Sequence, residues 1–346
     1  MSMFARFLLS IGIVSVLSAF AKPTPAVNSC SDSPQTGAAG DWSNARRHEV
    51  KAWGEPHHRG IDLITAEDSQ QVISGETHYT HSVRGKQTSD KALEHETIEV
   101  LACRDNDWTL VGKTETDREG RFQLHVPKET ALRVGLTKLY LSVVGDRSGA
   151  GFLALIAPPN TELVVSDVDG TLTDSENAFP DSLFTHRAVA ANDGAPRALE
   201  TLRKRGYWIV YLTSRGQFFT EATRRWLRDK GFPNGPLRLA EDFVTLPGHE
   251  TVEYKSGAMK SIVQSHFIIG VGIGNRRSDE EAYSAVGVPT TAIYIFRKER
   301  RFFKEVDPLR AQKKAVVFES YTSEQAIFQA LPLVNSSAPS AEGEEK

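Results

Sequence analysis

The chain has 346 residues, which at roughly 150 residues per domain points to about two domains. Hydrophobic residues make up 40% and charged residues 25%, an ordinary globular balance that excludes wholesale disorder, a collagen-like chain and a multi-span membrane protein. The formal net charge of -3 leaves no global positive field for a polyphosphate backbone, so general nucleic-acid binding is disfavoured. Two cysteines cannot build a disulfide framework or a four-thiolate zinc site.

Residues 1–21 read as a secretory signal. Arg6 precedes an apolar run from Phe7 to about Leu17, and Ala19-Phe20-Ala21 supplies the small residues of a cleavage site. The run is short for a bilayer-spanning helix, so export is expected over lasting anchorage. The protein is thus expected to be periplasmic or secreted, where disulfides persist. Cys30 and Cys103 are either bonded to each other or Cys103 is a free core thiol; the sequence leaves both readings open. Residues 22–45, rich in Pro, Ser, Gly and Asn, read as a disordered lead-in, and residues 334–346 as a tail of the same kind.

Residues 46–159 read as a β-rich, sandwich-like domain. Expected strands are Gln71–Tyr79, Thr97–Cys103, Thr109–Thr116, Arg121–Val126, Lys138–Val144 and Gly151–Ala157. Residues 121–126 alternate polar and apolar, as a half-buried strand does. No constellation of chemical groups stands out here. His57-His58 is assigned no function, because adjacent side chains on an extended chain point apart.

After Pro158-Pro159 strands alternate with helices, through residues 160–333. This grammar predicts an α/β fold: a Rossmann-like parallel sheet with helices on both faces. Strands are expected at Glu162–Ser166, Tyr207–Leu212, Leu237–Leu239, Phe267–Gly272, Thr291–Phe296 and Ala315–Phe318. Helices are expected near Ala195–Arg205, Phe218–Lys230, Gly257–His266 and Asp279–Val286. The first helix has Asp193 as its expected cap, Pro196 in its first turn and Gly206 at its end. Ligands of such sheets bind beyond the carboxyl ends of the strands, so the chemistry should follow each apolar run.

The first strand ends in Asp167-Val168-Asp169-Gly170-Thr171. One carboxylate can attack phosphorus to give an aspartyl-phosphate, and a second can protonate the leaving oxygen and then activate water. Such a pair also attracts Mg²⁺, a cation that prefers oxygen ligands. The second strand ends in Thr213-Ser214, hydroxyls suited to a phosphoryl oxygen. Lys255 can offset the negative charge. Gly274-Asn275 to Asp279, after the fourth apolar run, can supply further oxygens to a metal, or simply cap a helix. Taken singly, the hydroxyl, the lysine and the last acid are weak signals; their order, each after a strand or between elements of one α/β unit, is the strong one.

That order resembles the haloacid dehalogenase superfamily. The resemblance implies Asp167 as nucleophile, Asp169 as general acid/base with its main-chain carbonyl on the metal, Thr213 with Ser214 and Lys255 at the phosphate, and Asp279 with Asn275 as metal ligands. Asn275 stands where many members carry Asp, which leaves the metal shell less acidic. The stretches 167–213 and 213–255 are largely filled by their helices and strands, so no cap domain is expected, and residues 174–186 are the sole candidate cover.

A finer resemblance is to the lipin-type domain of lipins and of the RdgB/Nir phosphatidylinositol transfer proteins. It is carried by residues 193–196, 206–215, Gly231-Phe232-Pro233-Asn234-Gly235, Gly248-His249-Glu250-Thr251 and Gly274-Asn275-Arg276, with similarity continuing upstream over about 70–300. The RdgB/Nir versions are lipid-binding domains that lack the nucleophile signature and recognise phosphatidic acid. This chain keeps the signature, as do the lipins, which dephosphorylate phosphatidic acid with Mg²⁺. The expected function is therefore an exported, Mg²⁺-dependent phosphomonoesterase acting on phosphatidic acid or a related phospholipid. The alternatives are a non-catalytic phosphatidic-acid-binding module and a phosphatase of soluble nucleotides or sugar phosphates. Phe296–Lys304 interleaves aromatics with cations; it is either a peripheral membrane-surface contact, at about 1 kcal/mol per cation, or a solvated loop with packed phenylalanines. Arg224, Arg225, Arg228 and Lys230 read as a solvent face whose Trp226 and Leu227 turn inward.

Overall fold

The computed structural model describes residues 30–35, 37–83, 86–176, 188–241 and 249–334. The expected signal segment, residues 22–29 of the lead-in, most of the tail and most of the 174–186 cover lie outside the described residues. Among the described residues no helix is long and apolar enough to cross a membrane.

The amino-terminal half is built from short strands. A five-stranded sheet has the order β3-β11-β10-β7-β8 (Leu63–Ala66, Gly149–Ala157, Gly135–Val143, Thr97–Arg104, Asp107–Glu115). Facing it is a three-stranded sheet β2-β4-β9 (Arg59–Ile61, Val72–Glu76, Arg121–His125), and a third sheet joins β1, β5 and β6 (Glu55–Pro56, His78–Val83, Lys86–Ala92). Alternation on β9 buries Phe122 and Leu124 and exposes their neighbours. These two residues join Ile73, Ile98, Val100, Leu139, Leu141 and Phe152 in the sandwich core.

Most expected strands are present within two or three residues. The single strand expected over Gln71–Tyr79 is two, interrupted at Thr77. Thr77 donates its amide to the Gly120 carbonyl and accepts the Leu93 amide, so its backbone serves two other segments. The polar strand β6 and the short strands before residue 70 carry too little apolar alternation to be read in advance. The same holds for helix α1 (Arg47–Ala52).

The lead-in is corrected in part. Residues 30–45, where described, are stitched onto the sandwich. Cys30 is bonded to Cys103 with Cα atoms 5.9 Å apart, which resolves the open cysteine question in favour of the bond. The amides of Ser43, Asn44 and Ala45 all donate to the buried carboxylate of Glu96, at 2.9, 2.9 and 2.6 Å. A segment without hydrophobic periodicity is ordered here by a covalent link and one acceptor group.

The carboxyl-terminal half is a six-stranded, wholly parallel sheet of order β14-β13-β12-β15-β16-β17 (Leu237–Ala240, Trp208–Gly216, Glu162–Asp167, Ile268–Gly274, Ile293–Phe296, Val316–Phe318). Helices α2 (Ala195–Lys204), α3 (Thr220–Asp229), α4 (His249–Gln264), α5 (Arg277–Ala285), α6 (Phe303–Ala311) and α7 (Ala326–Gln329) accompany it. The chain leaves β12 toward β13 on one side and returns to β15 on the other. The tip of β12 therefore lies at the switch point, where loops diverge and open a crevice.

Two apolar layers sandwich this sheet. One gathers Val164, Leu199, Leu202, Tyr211, Trp226, Val271 and Phe318. The other gathers Leu163, Val165, Val210, Met259, Ile262 and Ile293, and it also takes in Ile64, Leu136, Leu153 and Leu155 from the β-rich half. The two halves thus share one apolar layer, beside the separate core of the sandwich.

Asp62 ties them further. Its side chain is fully buried and accepts from the Leu153 amide (2.8 Å), the Leu237 amide (2.7 Å) and Arg224 Nη2 (2.9 and 3.0 Å). Arg224 is therefore an interior partner rather than part of a solvent face, while Trp226 and Leu227 turn inward as expected. Asp193 does not cap α2: the cap position is Gly194 in the left-handed region, and Asp193 accepts instead from Thr322 Oγ1 at 2.8 Å.

Candidate active site

β12 delivers Asp167 to the crevice because Leu163, Val164 and Val165 before it are fully buried at the sheet centre. The chain then turns at Gly170, whose φ of +71° only glycine adopts at no steric cost. A Cβ there would also stand 2.2 Å from Asn275 Nδ2 and 2.5 Å from Glu176 Oε2. The turn is closed by the Leu172 and Thr173 amides on the Val168 carbonyl, at 2.8 and 3.0 Å.

Lys255 lies on the buried face of α4 with Ser256, Met259 and Ile262. The helix begins at His249, well before the expected Gly257, so Lys255 is held by a helix rather than a loop. Its Nζ donates to Asp167 Oδ1 and to Asp279 Oδ1, each at 2.6 Å. All three residues are nearly inaccessible. Burial pushes the Asp167 carboxyl up to about 8, with Lys255 opposing and Asp279 adding to the rise. Burial alone would lower Lys255, but the two carboxylates outweigh it and hold the ammonium well above its ordinary range.

Asp169 faces the other wall. Its carboxylate accepts Thr213 Oγ1 at 2.8 Å and is forked by Arg215, with Nε at 2.8 Å from Oδ2 and Nη2 at 2.6 Å from Oδ1. Arg215 is braced in turn by Thr223 Oγ1 of α3 at 2.9 Å. Ser214, beside Thr213 on β13, has a buried hydroxyl with no protein partner among the described residues.

At the end of β15, Asp279 Oδ2 accepts the amides of Asn275 and Arg276, at 2.9 and 3.0 Å, and so fixes the loop that enters α5. Asn275 Oδ1 and Asp167 Oδ2 both contact the Thr171 hydroxyl, at 3.1 and 2.7 Å. Asn275 Nδ2 donates to Glu176 Oε2 at 2.7 Å. Burial pushes the Glu176 carboxyl up to about 7, against the Asn275 hydrogen bond and the Arg276 charge.

Six of the seven residues expected from sequence thus gather around the β12 tip, Asp167, Asp169, Thr213, Lys255, Asn275 and Asp279, while Ser214 follows Thr213 on β13 with no hydrogen bond to the others. Three others were not anticipated. Arg215 belongs to a run singled out only for its hydroxyls, Thr171 stands inside the acidic motif, and Glu176 lies beyond it. The one available signal for Arg215 was its place at the tip of β13, two residues past Thr213.

Among the described residues, no group of three His, Cys, Asp or Glu forms a ready metal cage. The donors do fit a hard divalent cation by chemistry. Asp167 Oδ2 and Asn275 Oδ1 share one hydroxyl and so lie close together, and the Asp169 carbonyl is two residues along the same turn. Asp279 fits less well, since both of its oxygens are committed to Lys255, Asn275 and Arg276.

The interleaved run Phe296–Lys304 is largely satisfied within the protein. Arg297 pairs with Asp307 and lies over the Phe303 ring, Lys298 donates to Asn192 Oδ1 at 2.6 Å, Arg301 pairs with Glu299, and Phe296 is buried. This favours packed phenylalanines over a membrane contact. His57 stacks on Phe218, whereas His58 turns to Ser148, so the two rings do point apart.

Residues 164–297 match the model of the PITM 1-3 LNS2 domain, and residues 56–156 that of the PITM 1-3 beta-sandwich domain. Protein retinal degeneration B of Drosophila melanogaster is 26% identical over 246 residues, 70% of this chain and 18% of that protein. Membrane-associated phosphatidylinositol transfer protein 3 of Homo sapiens is 26% identical over 243 residues, 69% of this chain and 23% of that protein. The match therefore spans about a fifth of the length of these relatives. Among solved structures, D,D-heptose 1,7-bisphosphate phosphatase from Burkholderia thailandensis is 15% identical, with a TM-score of 0.34, and the match covers 49% of this chain and 100% of that one. The chain thus carries, in order, a segment similar to the PITM 1-3 beta-sandwich domain and a segment similar to the PITM 1-3 LNS2 domain.

Proposed function

We propose that the protein is an exported, Mg²⁺-dependent phosphomonoesterase working through an aspartyl-phosphate on Asp167, with phosphatidic acid or a related phospholipid as substrate. The observation that carries this reading is the convergence of Asp167, Asp169, Thr213 and Lys255 on one crevice at the switch point of the sheet.

In the first step an Asp167 carboxylate oxygen forms a bond to phosphorus while the bond from phosphorus to the alcohol oxygen breaks. Asp169 gives its proton to that oxygen. In the second, water attacks phosphorus, Asp169 takes the proton, and the acyl-phosphate bond breaks to free phosphate and Asp167. Lys255 offsets charge on Asp167 throughout, and the Thr213 hydroxyl beside Asp169, with Ser214 next to it on the strand, is the proposed phosphate contact. A divalent cation held by Asp167, the Asp169 carbonyl and Asn275 would supply neutralisation of the phosphate charge.

The phospholipid assignment draws on relatives named as phosphatidylinositol transfer proteins. Export draws on the signal-like run of residues 1–21 and on the Cys30–Cys103 bond, which persists in an oxidising compartment. The test is phosphate release from phosphatidic acid vesicles and from soluble phosphomonoesters, with and without Mg²⁺, for wild type and Asp167→Asn. Loss of release in the variant is expected; activity that survives it rejects the nucleophile.

One observation favours a second reading, a phosphatidic-acid-binding module. Both oxygens of Asp169 are engaged by Arg215, so the proton donor is held away from free rotation. Vesicle flotation without phosphate release across a metal series would select that reading.

A further inference from the structure

This inference rests on the proposed cation-dependent site and concerns Glu176, the acid that the motif pattern did not mark. An asparagine side chain presents an oxygen at one end and an amino group at the other, and its neighbours decide which end faces which way. Asn275 has its Nδ2 on Glu176 Oε2 at 2.7 Å, which leaves Oδ1 toward Thr171 and, through that hydroxyl, toward Asp167. A cation needs the oxygen on that side; an amino group there would repel it.

Glu176 is itself held in place. Its amide donates to Glu299 Oε1 at 2.7 Å, and its Oε1 lies 3.4 Å from Arg276 Nη1. Arg276 is anchored through Nε on Glu305 Oε1 at 2.9 Å. The carboxylate also fills the space behind the Gly170 turn, where a Cβ would stand 2.5 Å from Oε2.

We infer that Glu176 is a positioning residue. It locks the Asn275 amide with its oxygen toward the cation site, and it sets a carboxyl one hydrogen bond away from where an aspartate at position 275 would stand. The acid has, in effect, moved one hydrogen bond outward. The reversed pair, with the acid at 275 and an amide at 176, would keep the same hydrogen bond with donor and acceptor exchanged. Asn275→Asp alone would instead set two carboxylates against each other at 2.7 Å separation.

The experiment is Mg²⁺ titration of the whole protein by calorimetry, with phosphate release and melting temperature recorded on the same samples. Glu176→Ala should weaken Mg²⁺ binding by about 10- to 100-fold, the usual cost of losing a group that orients a ligand. Glu176→Gln, which can keep the hydrogen bond but not the charge, should fall between. Asn275→Asp should bind no tighter than wild type, and the double variant N275D/E176Q should recover wild-type affinity or better. A purely structural Glu176 would lower the melting temperature without recovery in the swap. Wild-type affinity in Glu176→Ala, or Asn275→Asp binding tighter than the double variant, overturns the inference. Absence of Mg²⁺ binding to wild type, together with metal-independent phosphate release, would instead sink the cation reading of the site, and this inference with it.

Discussion

Arg215 grips Asp169 as a fork, Nη2 at 2.6 Å from Oδ1 and Nε at 2.8 Å from Oδ2, with its own side chain almost wholly buried. Such bidentate pairs fix direction as well as charge. For Asp169 to protonate a leaving group, it must turn at least one oxygen from Arg215 to substrate. Under the proposed mechanism, the fork sets where the acid waits between turnovers.

If so, Asp169→Asn should lower phosphate release by about 10²- to 10⁴-fold, the range for a lost general acid–base group. Arg215→Lys keeps a charge but loses the planar fork. It should lower kcat more than it changes KM, because the substrate's own phosphate contacts remain. Steady-state kinetics on both variants checks this. A rise in KM alone for Arg215→Lys would make Arg215 a substrate-binding group instead.

Asp62 and Arg224 make a second prediction, on stability. Asp62 lies between β2 and β3 in the sandwich, and its carboxylate holds Arg224 of α3 and the Leu237 amide of β14. Asp62→Ala strands the guanidinium and leaves two buried amides without acceptors. Removing one member of a buried pair costs about 3–5 kcal/mol. Chemical denaturation should show that loss. Because the two halves share an apolar layer, it should come as one transition rather than two.

How much of this was legible in sequence depends on whether a residue's partner is local. Asp167, Asp169, Thr213 and Asp279 could be placed because each follows an apolar run, and a parallel sheet sends all such ends to one edge. Lys255 was found by order alone, since its helix starts earlier than composition indicated. Asp62 and Arg224 are 162 residues apart, and nothing near either announces the other. Arg224 sits in a basic run that looks like an ordinary solvent face. Glu96, which orders the segment before α1, was invisible for the same reason: its three donors are backbone amides, which carry no side-chain signature.

His58 supplies a pH prediction. Burial pulls its pKa from 6.5 down to about 3, with Asp146 opposing, while Nε2 meets Ser148 Oγ at 2.8 Å. The unfolded chain takes up a proton near 6.5 and the folded chain does not until about 3. This contribution to stability is complete above 6.5 and is lost as pH falls through the window between those values, at up to about 1.4 kcal/mol per pH unit. His58→Gln removes the titrating group. Melting temperatures of wild type and variant should therefore converge as pH drops from about 7 to about 5. Parallel curves would mean that His58 does not carry the acid sensitivity.

The Cys30–Cys103 bond closes a loop with a sequence separation of 73. Chain-entropy reasoning gives about 4 kcal/mol for a loop of that size. Reduction should lower the stability of the β-rich half and free the lead-in to proteolysis upstream of Trp42. Limited proteolysis with and without reductant reads this out. Equal cleavage in both states would show that the amides on Glu96 are enough to hold the segment.

Lys255 gives the sharpest test of the site's electrostatics. Its ammonium stands between Asp167 and Asp279 at 2.6 Å from each, and all three residues are buried. Lys255→Met keeps most of the side-chain volume and removes the charge, leaving two buried carboxylates with no cation. A loss of about 3–5 kcal/mol is expected. A divalent cation binding beside Asp167 would replace part of the missing charge. Mg²⁺ should therefore raise the melting temperature of Lys255→Met by more than it raises that of wild type. Calorimetric scans with and without Mg²⁺ measure both shifts. If Mg²⁺ shifts the two proteins equally, the cation and the ammonium do not serve the same carboxylates, and any cation site must lie away from Asp167.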